Sequence, residues 1–289
     1  MNVQPFHVMI KGLEKTILCR DSEDYDMFVK HIAICAWRKN VIVVIYTVVS
    51  NHCHVAVLAA SQKDAEDYAN ELKRSYSQWF RAKYGEQKVL KGVDSRAICL
   101  DNDWYVRNAL AYIPRNALDN GCPVHEYEWS GFRSMFSKSE VPSECKPVSS
   151  MTKREVNRVF HTRDNLSCVP WLIDACNRIV PGSFCDTGYL EQVFNNDQSF
   201  FLKTIGAANV GEMEEKLVYG PRRMLPDSEF LKIVEEISGR WFNLSVSSLS
   251  VEKKKRLLPY VWRTHKTTIS QLSRAFGLEK EQVELVLKP

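Results

Sequence analysis

The chain has 289 residues, of which 45% are hydrophobic and 26% are charged, and its formal net charge is +4. This length and apolar content allow one large core or two or three smaller ones. The slight positive charge permits nucleic-acid binding without requiring it, because local clustering of basic side chains matters more than their total. The longest apolar run, residues 41–60, carries Ser50, Asn51, His52 and His54 in its middle, so we predict no membrane span.

The cysteines and residues 1–5 indicate the cellular compartment in which the protein is expected. Nine cysteines, an odd number, include no Cys-x-x-Cys pair, and residues 1–5 show no secretion signal. Reduced thiols in the cytoplasm are therefore expected. A structural zinc site formed by Cys168, Cys176, Cys185 and His161 is the alternative, but the spacing fits no common zinc module, and helix packing explains these residues better.

The pattern of apolar residues predicts the elements of the first half of the chain. Strands are predicted at residues 6–11, 41–49, 53–60 and 96–100, and helices at 21–39, 62–84 and 104–118. A Ser50-Asn51 turn joins the two central strands. This order predicts an α+β fold in which helices pack on an antiparallel sheet.

Two histidines stand out on the second central strand. Residues two apart on a strand point to one face, so His52 and His54 project together and form a candidate pair of metal ligands. Ordinary strand histidines with hydrogen-bond partners are the alternative. In the predicted helix 104–118, Tyr112 and Asn116 lie four residues apart and share a face, although Pro114 should kink this helix just after Tyr112.

These features, in this order, resemble the single-tyrosine HUH transposases, and more closely the REP-associated tyrosine transposases of the IS200-like group. The similar segments also include Lys11-Gly12, the acidic helix start at residues 21–25 and the stretch 128–132. The resemblance implies a ferredoxin-like (RRM-like) HUH domain. It also implies Tyr112 as the nucleophile, and His52, His54 and Asn116 as ligands of Mg²⁺ or Mn²⁺. The implied reaction is attack on single-stranded DNA, which gives a 5′-phosphotyrosine and a free 3′-hydroxyl.

The chain departs from the family pattern at three points. Ala117 stands where a proline usually follows the asparagine, Lys11 replaces a common arginine, and residues 87–95 lack the usual aromatic and basic stretch. The first two changes should leave catalysis intact, whereas the third puts DNA contacts in doubt.

The predicted DNA contacts are Lys11, Arg74, Arg81, Lys83, Arg115, Lys280 and Gln282. On the helix 62–84, basic residues alternate with Tyr76, Trp79 and Phe80, which could stack on bases. The alternative is that these aromatic side chains face the core and the charges cover an outer surface.

The chain is predicted to contain an HUH transposase domain at 1–136, a linker at 137–152, a helical connecting region at 153–225 and a helix-turn-helix domain at 226–289. In the last of these, residues 268–276 and 279–288 form two helices around Gly277-Leu278. This region loosely resembles the DNA-binding domain of DnaA-type replication initiators. A helical bundle used for packing or protein contact is the alternative.

The predicted function is that of a metal-dependent single-strand endonuclease and strand transferase, a transposase that acts on hairpin-bearing DNA as a monomer or homodimer. One alternative is a non-catalytic DNA-binding regulator derived from a transposase. A replication-initiator nuclease is a second alternative, but it would need a second tyrosine on the face of Tyr112. Residues 108 and 116 are not tyrosines, and Tyr105 lies about two turns away.

Overall fold

The computed structural model describes residues 3–11, 17–85, 94–119, 121–137, 144–207, 227–265 and 267–287. Residues 87–93 of the unusual stretch 87–95, and residues 138–143 of the predicted linker, lie outside the described residues. The chain divides into two compact units, Met1–Met213 and Glu214–Pro289.

The first unit begins with a four-stranded antiparallel sheet and three helices, as predicted. The elements are β1 (Gln4–Lys11), α1 (Ser22–Lys39), β2 (Ile42–Val48), β3 (His52–Ala59), α2 (Gln62–Tyr84), β4 (Asp94–Cys99) and α3 (Asp103–Asp119). The strand order is β2-β3-β1-β4, so β3 and β1 are central. The predicted fold class is confirmed.

Local capping explains where the first two helices begin and end. Asp21 accepts a hydrogen bond from the Asp24 backbone N–H at the start of α1, and Ser61 does the same for Asp64 at the start of α2. Both helices end at a left-handed residue, Asn40 and Gly85 respectively.

The sheet has two different faces because side chains alternate along each strand. Cys53, Val55 and Val57 point to one face, which α1 and α2 cover; there burial, with a smaller effect of the nearby Cys53, raises the pKa of Tyr68 on α2. Tyr76, Trp79 and Phe80 of α2 are buried in this layer. The structure therefore supports the interpretation that these aromatic side chains build the core.

The opposite face of the sheet carries the histidines and is covered by α3. The ring centroid of Tyr112, on α3, lies 5.2 Å from that of His54, on β3. α3 runs from Asp103 to Asp119 as a single helix with Pro114 inside it.

Residues 144–207 belong to the same compact unit as the sheet. They form β5 (Lys146–Pro147), α4 (Lys153–Phe160), β6 (Leu172–Ile173), α5 (Thr187–Val193) and α6 (Gln198–Ala207). α5 and α6 pack against α3. The described part of the predicted connecting region 153–225 is thus a set of short helices built onto the sheet domain.

Two segments cover the edge of the sheet at β2. The Val48 N–H donates to the carbonyl of Trp129 over 2.9 Å, and the Asp186 N–H donates to the carbonyl of Val43 over 2.7 Å. Isolated bridges at Thr47–Ser130 and Val43–Cys185 continue this contact. The backbone groups of an edge strand are therefore satisfied from within the chain.

The second unit is helical in its described part. It contains α7 (Asp227–Phe242), α8 (Val251–Thr264), α9 (Ile269–Phe276) and α10 (Lys280–Leu287). α9 ends at Gly277, whose φ of 58° is left-handed, and a three-residue turn leads to α10. The apolar core includes Phe230, Val234, Leu257, Leu258, Val261, Leu272, Phe276 and Val283. Of the helices described in either unit, none combines the length and apolarity that a membrane span requires.

Candidate functional site

The four predicted site residues come together on the face of the sheet that α3 covers. The ring centroids of His52 and His54 are 5.0 Å apart, and the His54 ring packs edge-on against Tyr112. Asn116, one turn further along α3, places its Oδ1 3.1 Å from His52 Nε2. Residues about 60 positions apart in the sequence thus form one cluster.

The orientation of the Asn116 carboxamide is fixed by its own helix. Its Nδ2 donates to the carbonyl oxygens of Tyr112 and Ile113, at 3.0 and 3.2 Å. Because the amide nitrogen is held in this way, the oxygen Oδ1 is the atom that faces His52. The side chain is 3% exposed, so this arrangement is enclosed by the protein.

His52 lies between two oxygen atoms. Its Nδ1 is 2.7 Å from Asn51 Oδ1, and its Nε2 is 3.1 Å from Asn116 Oδ1. A neutral imidazole carries one N–H and can donate to only one of these oxygens. If Nδ1 donates to Asn51, the lone pairs of Nε2 and Asn116 Oδ1 meet, and a cation between them would remove their repulsion.

The donor set fits a divalent metal. Imidazole nitrogen and carboxamide oxygen are both metal ligands, and in an octahedral site with bonds of about 2.1 Å, neighbouring ligands lie about 3 Å apart. The separation of His52 Nε2 and Asn116 Oδ1 matches this value. Within the described ranges, no three histidine, cysteine, aspartate or glutamate side chains are placed to hold a metal ion. The oxygen of Asn116 would join the two histidines in holding a metal at this site.

A third histidine belongs to the cluster and was not predicted. His7 on β1 is fully buried, and its Nε2 lies 3.0 Å from His54 Nδ1. The register explains this contact: Met9 is opposite His54, and His7 lies two residues away on the same face. A lone histidine in a predicted strand gives no sign of this role, since only the pairing of β1 with β3 brings it to the site.

Burial keeps the inner histidines neutral. Desolvation lowers the pKa of His7 to about 3. It also lowers the pKa of His54 well below its ordinary value, and the nearby His52, His7 and Lys11 act in the same direction. A neutral imidazole is the form that binds a metal.

The candidate nucleophile is enclosed in the same layer. The Tyr112 side chain is 3% exposed, and its ring centroid is 6.1 Å from that of His7. His52 is only half-buried, so the cluster opens to solvent on the His52 side.

Of the predicted DNA contacts, Lys11 is the one beside the site. It pairs with His52 across β1 and β3, and its side chain is exposed. Its position suits a contact with a phosphate next to the cluster.

The basic residues of α2 lie on the helix that covers the opposite face of the sheet. Arg74 makes a short ion pair with Glu71, and Lys83 lies within 2.9 Å of carboxylate oxygens of Asp21, Glu23 and Asp24. These acidic partners raise the pKa of Lys83. Arg81 is exposed on the same helix. None of the three therefore lies with the histidine cluster.

Arg115 is used inside the protein. Its Nη1 donates to the carbonyls of Ile205 and Gly206, at 2.8 and 3.1 Å, at the end of α6. Cationic groups stabilise the carboxyl end of a helix. This contact argues against the predicted role of Arg115 in binding DNA, and the sequence could not reveal a partner 90 residues away.

In the second unit, α10 stands where a recognition helix would be. Lys280 and Gln282 are exposed at its start, and Gln282 Oε1 also accepts from the Glu279 N–H. The same helix carries Glu281 and Glu284, which weaken its attraction to phosphate. The basic run of this unit, Lys253-Lys254-Lys255-Arg256, lies on α8.

Comparison with known proteins identifies no relative: no family model, curated protein or solved structure matches this chain.

Proposed function

We propose that the first unit is a metal-dependent tyrosine nuclease and strand transferase that acts on single-stranded or hairpin DNA, as the resemblance to single-tyrosine HUH transposases implies. One observation carries the proposal. Two separate elements, β3 and α3, bring two imidazoles, one carboxamide oxygen and one phenol into a single cluster.

The chemistry follows from the roles of these side chains. A divalent cation such as Mg²⁺ or Mn²⁺, held by His52, His54 and Asn116, would polarise the scissile phosphate and offset developing charge. The Tyr112 oxygen attacks phosphorus, and the bond from phosphorus to the 3′ oxygen breaks. The phenol gives up its proton, and the departing 3′ oxygen gains one. The 5′ end of the downstream strand is then bonded to Tyr112, and attack by a 3′-hydroxyl reverses the reaction.

The exposed side chain of Lys11 supports DNA binding at the same place. It lies directly across from His52 and is available for a phosphate contact. The second unit adds a helix-turn-helix with exposed Lys280 and Gln282 for duplex contacts.

A non-catalytic DNA-binding regulator is the second candidate, and one observation favours it. Tyr112 is 3% exposed, so its hydroxyl must become accessible before it can reach a phosphate. In a regulator the same cluster would serve only to hold the sheet and α3 together.

The test is a cleavage assay with labelled hairpin-bearing single strands and Mn²⁺. A label at the 3′ end of the DNA should become attached to the protein in a denaturing gel, whereas a label at the 5′ end should be released on a shorter strand. Tyr112→Phe should abolish both products. Tyr105→Phe is the matched control on the same helix and should leave both unchanged. DNA binding without either product in the wild-type protein would favour the regulator.

A further inference from the structure

The hydrogen bond between His7 and His54 can hold its proton in two ways. In one, His54 Nδ1–H donates to His7 Nε2, and the lone pair of His54 Nε2 remains available. In the other, His7 Nε2–H donates to His54 Nδ1, and the proton of His54 is on Nε2. Only the first arrangement allows His54 to bind a metal through Nε2.

The surroundings of His7 make these two arrangements unequal. His7 Nδ1 is buried and has no hydrogen-bond partner among the described residues. In the first arrangement this atom carries the N–H, and an enclosed donor without an acceptor costs about 1 to 3 kcal/mol. In the second arrangement the N–H is on His7 Nε2, where it has an acceptor, and Nδ1 keeps only an unpaired lone pair. Buried N–H groups without a partner are rarer in proteins than acceptors without one. The metal-free pair should therefore adopt the second arrangement.

We propose that His7 is a positioning residue whose proton moves from Nε2 to Nδ1 when His54 binds a divalent cation. The inference rests on the proposed function, since it assigns His54 Nε2 to the metal. The proton on His7 Nε2 passes to His54 Nδ1, the proton on His54 Nε2 leaves to solvent, and His7 Nδ1 takes one up. Each ring therefore ends with one proton, and the net release is zero. His7 thus presents a donor to His54 without the cation and an acceptor with it.

An imidazole differs from the usual partner of a metal-binding histidine. That partner is most often a carboxylate, a backbone carbonyl or water. A neutral ring adds no negative charge, so it orients His54 without weakening the positive charge that acts on the phosphate. The outer ligand has a different partner, because His52 Nδ1 faces the Asn51 side chain.

Two competing roles for His7 make different predictions. If His7 only fills space, an isosteric aromatic ring should replace it without effect on metal affinity. If His7 binds the metal directly through Nδ1, its proton stays on Nε2 in saturating metal; the position of this proton identifies that role, because a glutamine oxygen is itself a metal ligand. If it positions His54, a glutamine amide should substitute, because its oxygen can accept from His54 Nδ1–H and its nitrogen can donate.

The experiment compares Mn²⁺ binding, measured by electron paramagnetic resonance, in the full-length wild-type, His7→Phe and His7→Gln proteins without DNA. His7→Phe should weaken the affinity about 10- to 100-fold, and His7→Gln should recover most of that loss. His31→Phe removes another buried histidine on the opposite layer and should leave the affinity unchanged. Circular dichroism and unfolding midpoints confirm that each variant is folded.

A second measurement determines directly which ring nitrogen of His7 carries the proton. In ¹⁵N-labelled wild-type protein, nuclear magnetic resonance should show His7 protonated on Nε2 without metal and on Nδ1 in saturating Mg²⁺. An unchanged His7 tautomer, an unaffected affinity in folded His7→Phe, or a His7→Gln variant as weak as His7→Phe would overturn the inference. Wild-type protein that binds no Mn²⁺ would instead overturn the proposed metal site, and the metal-free position of the His7 proton would still be measured.

Discussion

Both faces of the central sheet contain buried polar side chains, but in different arrangements. On the face covered by α1 and α2, Cys53 and Tyr68 are enclosed among apolar side chains, and burial raises the pKa of both. On the face covered by α3, His7, His54 and Asn116 are also buried, but their polar atoms pair within the cluster, His7 with His54 and Asn116 with His52. Because side chains alternate along a strand, neighbouring residues belong to different layers. We call the side covered by α1 and α2 the apolar layer and the side covered by α3, which holds the histidine cluster, the polar layer.

This difference implies that the two layers should respond differently to substitution. A change in the apolar layer should alter the free energy of unfolding, whereas a change in the polar layer should alter metal binding or DNA cleavage. The first predictions below test that division, and the later ones test the basic residues around it, in order of decreasing expected effect.

Phe28 on α1 tests how much the apolar layer contributes to the free energy of unfolding. It is 1% exposed and its ring centroid is 4.3 Å from that of Tyr76. Phe28→Ala should lower the free energy of unfolding by about 3 to 5 kcal/mol, because it leaves a cavity. Tyr112→Phe should lower it by less than about 1.5 kcal/mol, since only one hydroxyl is lost. Chemical denaturation compares the two, and equal losses would contradict the separation of the layers.

His31 predicts a pH dependence that originates in the apolar layer. It is buried, its Nδ1 lies 3.0 Å from Ser75 Oγ, and burial, with Arg38 and His161 as smaller causes, lowers its pKa to about 3. Below pH 6.5 the unfolded chain binds a proton at this position that the folded chain excludes. The stability contributed by the neutral ring is therefore full above pH 6.5 and is lost as the pH falls toward 3.

Replacing His31 should reduce this loss. Between pH 7 and pH 4, His31→Met should lose about 3 kcal/mol less stability than the wild-type protein, because each pKa unit corresponds to about 1.4 kcal/mol. His125, whose side chain is 75% exposed, gives the control His125→Asn, which should keep the wild-type profile. Denaturation curves at several pH values measure both, and parallel curves for His31→Met and wild type would refute the assignment.

Arg115 tests whether α3 is held in place by its polar contacts. Arg115→Ala removes two hydrogen bonds to the end of α6 and should cost about 1.5 to 3 kcal/mol of stability, because both bonds come from a charged group. DNA affinity should not change. Lys11→Ala should leave stability unchanged, but it should weaken DNA binding and reduce the salt dependence of that binding. Fluorescence anisotropy and denaturation distinguish these results, and a loss of DNA affinity in Arg115→Ala alone would restore its predicted DNA contact.

Lys83 gives the smallest expected effect. Lys83→Met leaves the fully buried Asp24 carboxylate with a hydrogen bond from the Arg20 N–H and one from the Tyr84 hydroxyl, so we expect a loss of about 1 to 2 kcal/mol. Arg81→Met, at an exposed position of the same helix, should change stability by less than about 0.5 kcal/mol. Neither variant should alter DNA affinity, because α2 covers the face opposite the histidines; a clear loss in both would place DNA on that helix.

Features that depend on neighbours in the sequence were predictable. The cap at Asp21 and the Ser50-Asn51 turn are short-range signals, and the alternation of His52 and His54 follows from the strand alone. The convergence of Tyr112 with the histidines was predicted from the resemblance and agrees with the contacts of α3.

Features that depend on distant partners were not predictable. His7 joins the site only through the register of β1 against β3, and Arg115 meets carbonyls about 90 residues later. A basic side chain has the same appearance in a sequence whether it binds a phosphate or the end of a helix. Charge alone therefore could not show the internal partners of Arg115 and Lys83, and their DNA contacts stay predictions.

The segments that cover β2 limit how copies of this chain can associate. Trp129 and Asp186 already occupy hydrogen-bonding positions of that edge strand, so another molecule cannot extend the sheet there unless these contacts open. This edge of the sheet should therefore resist the addition of strands from other molecules, as occurs in fibrils. Extension of the four-stranded sheet by another molecule is expected instead at β4, the strand at the other end of the sheet order.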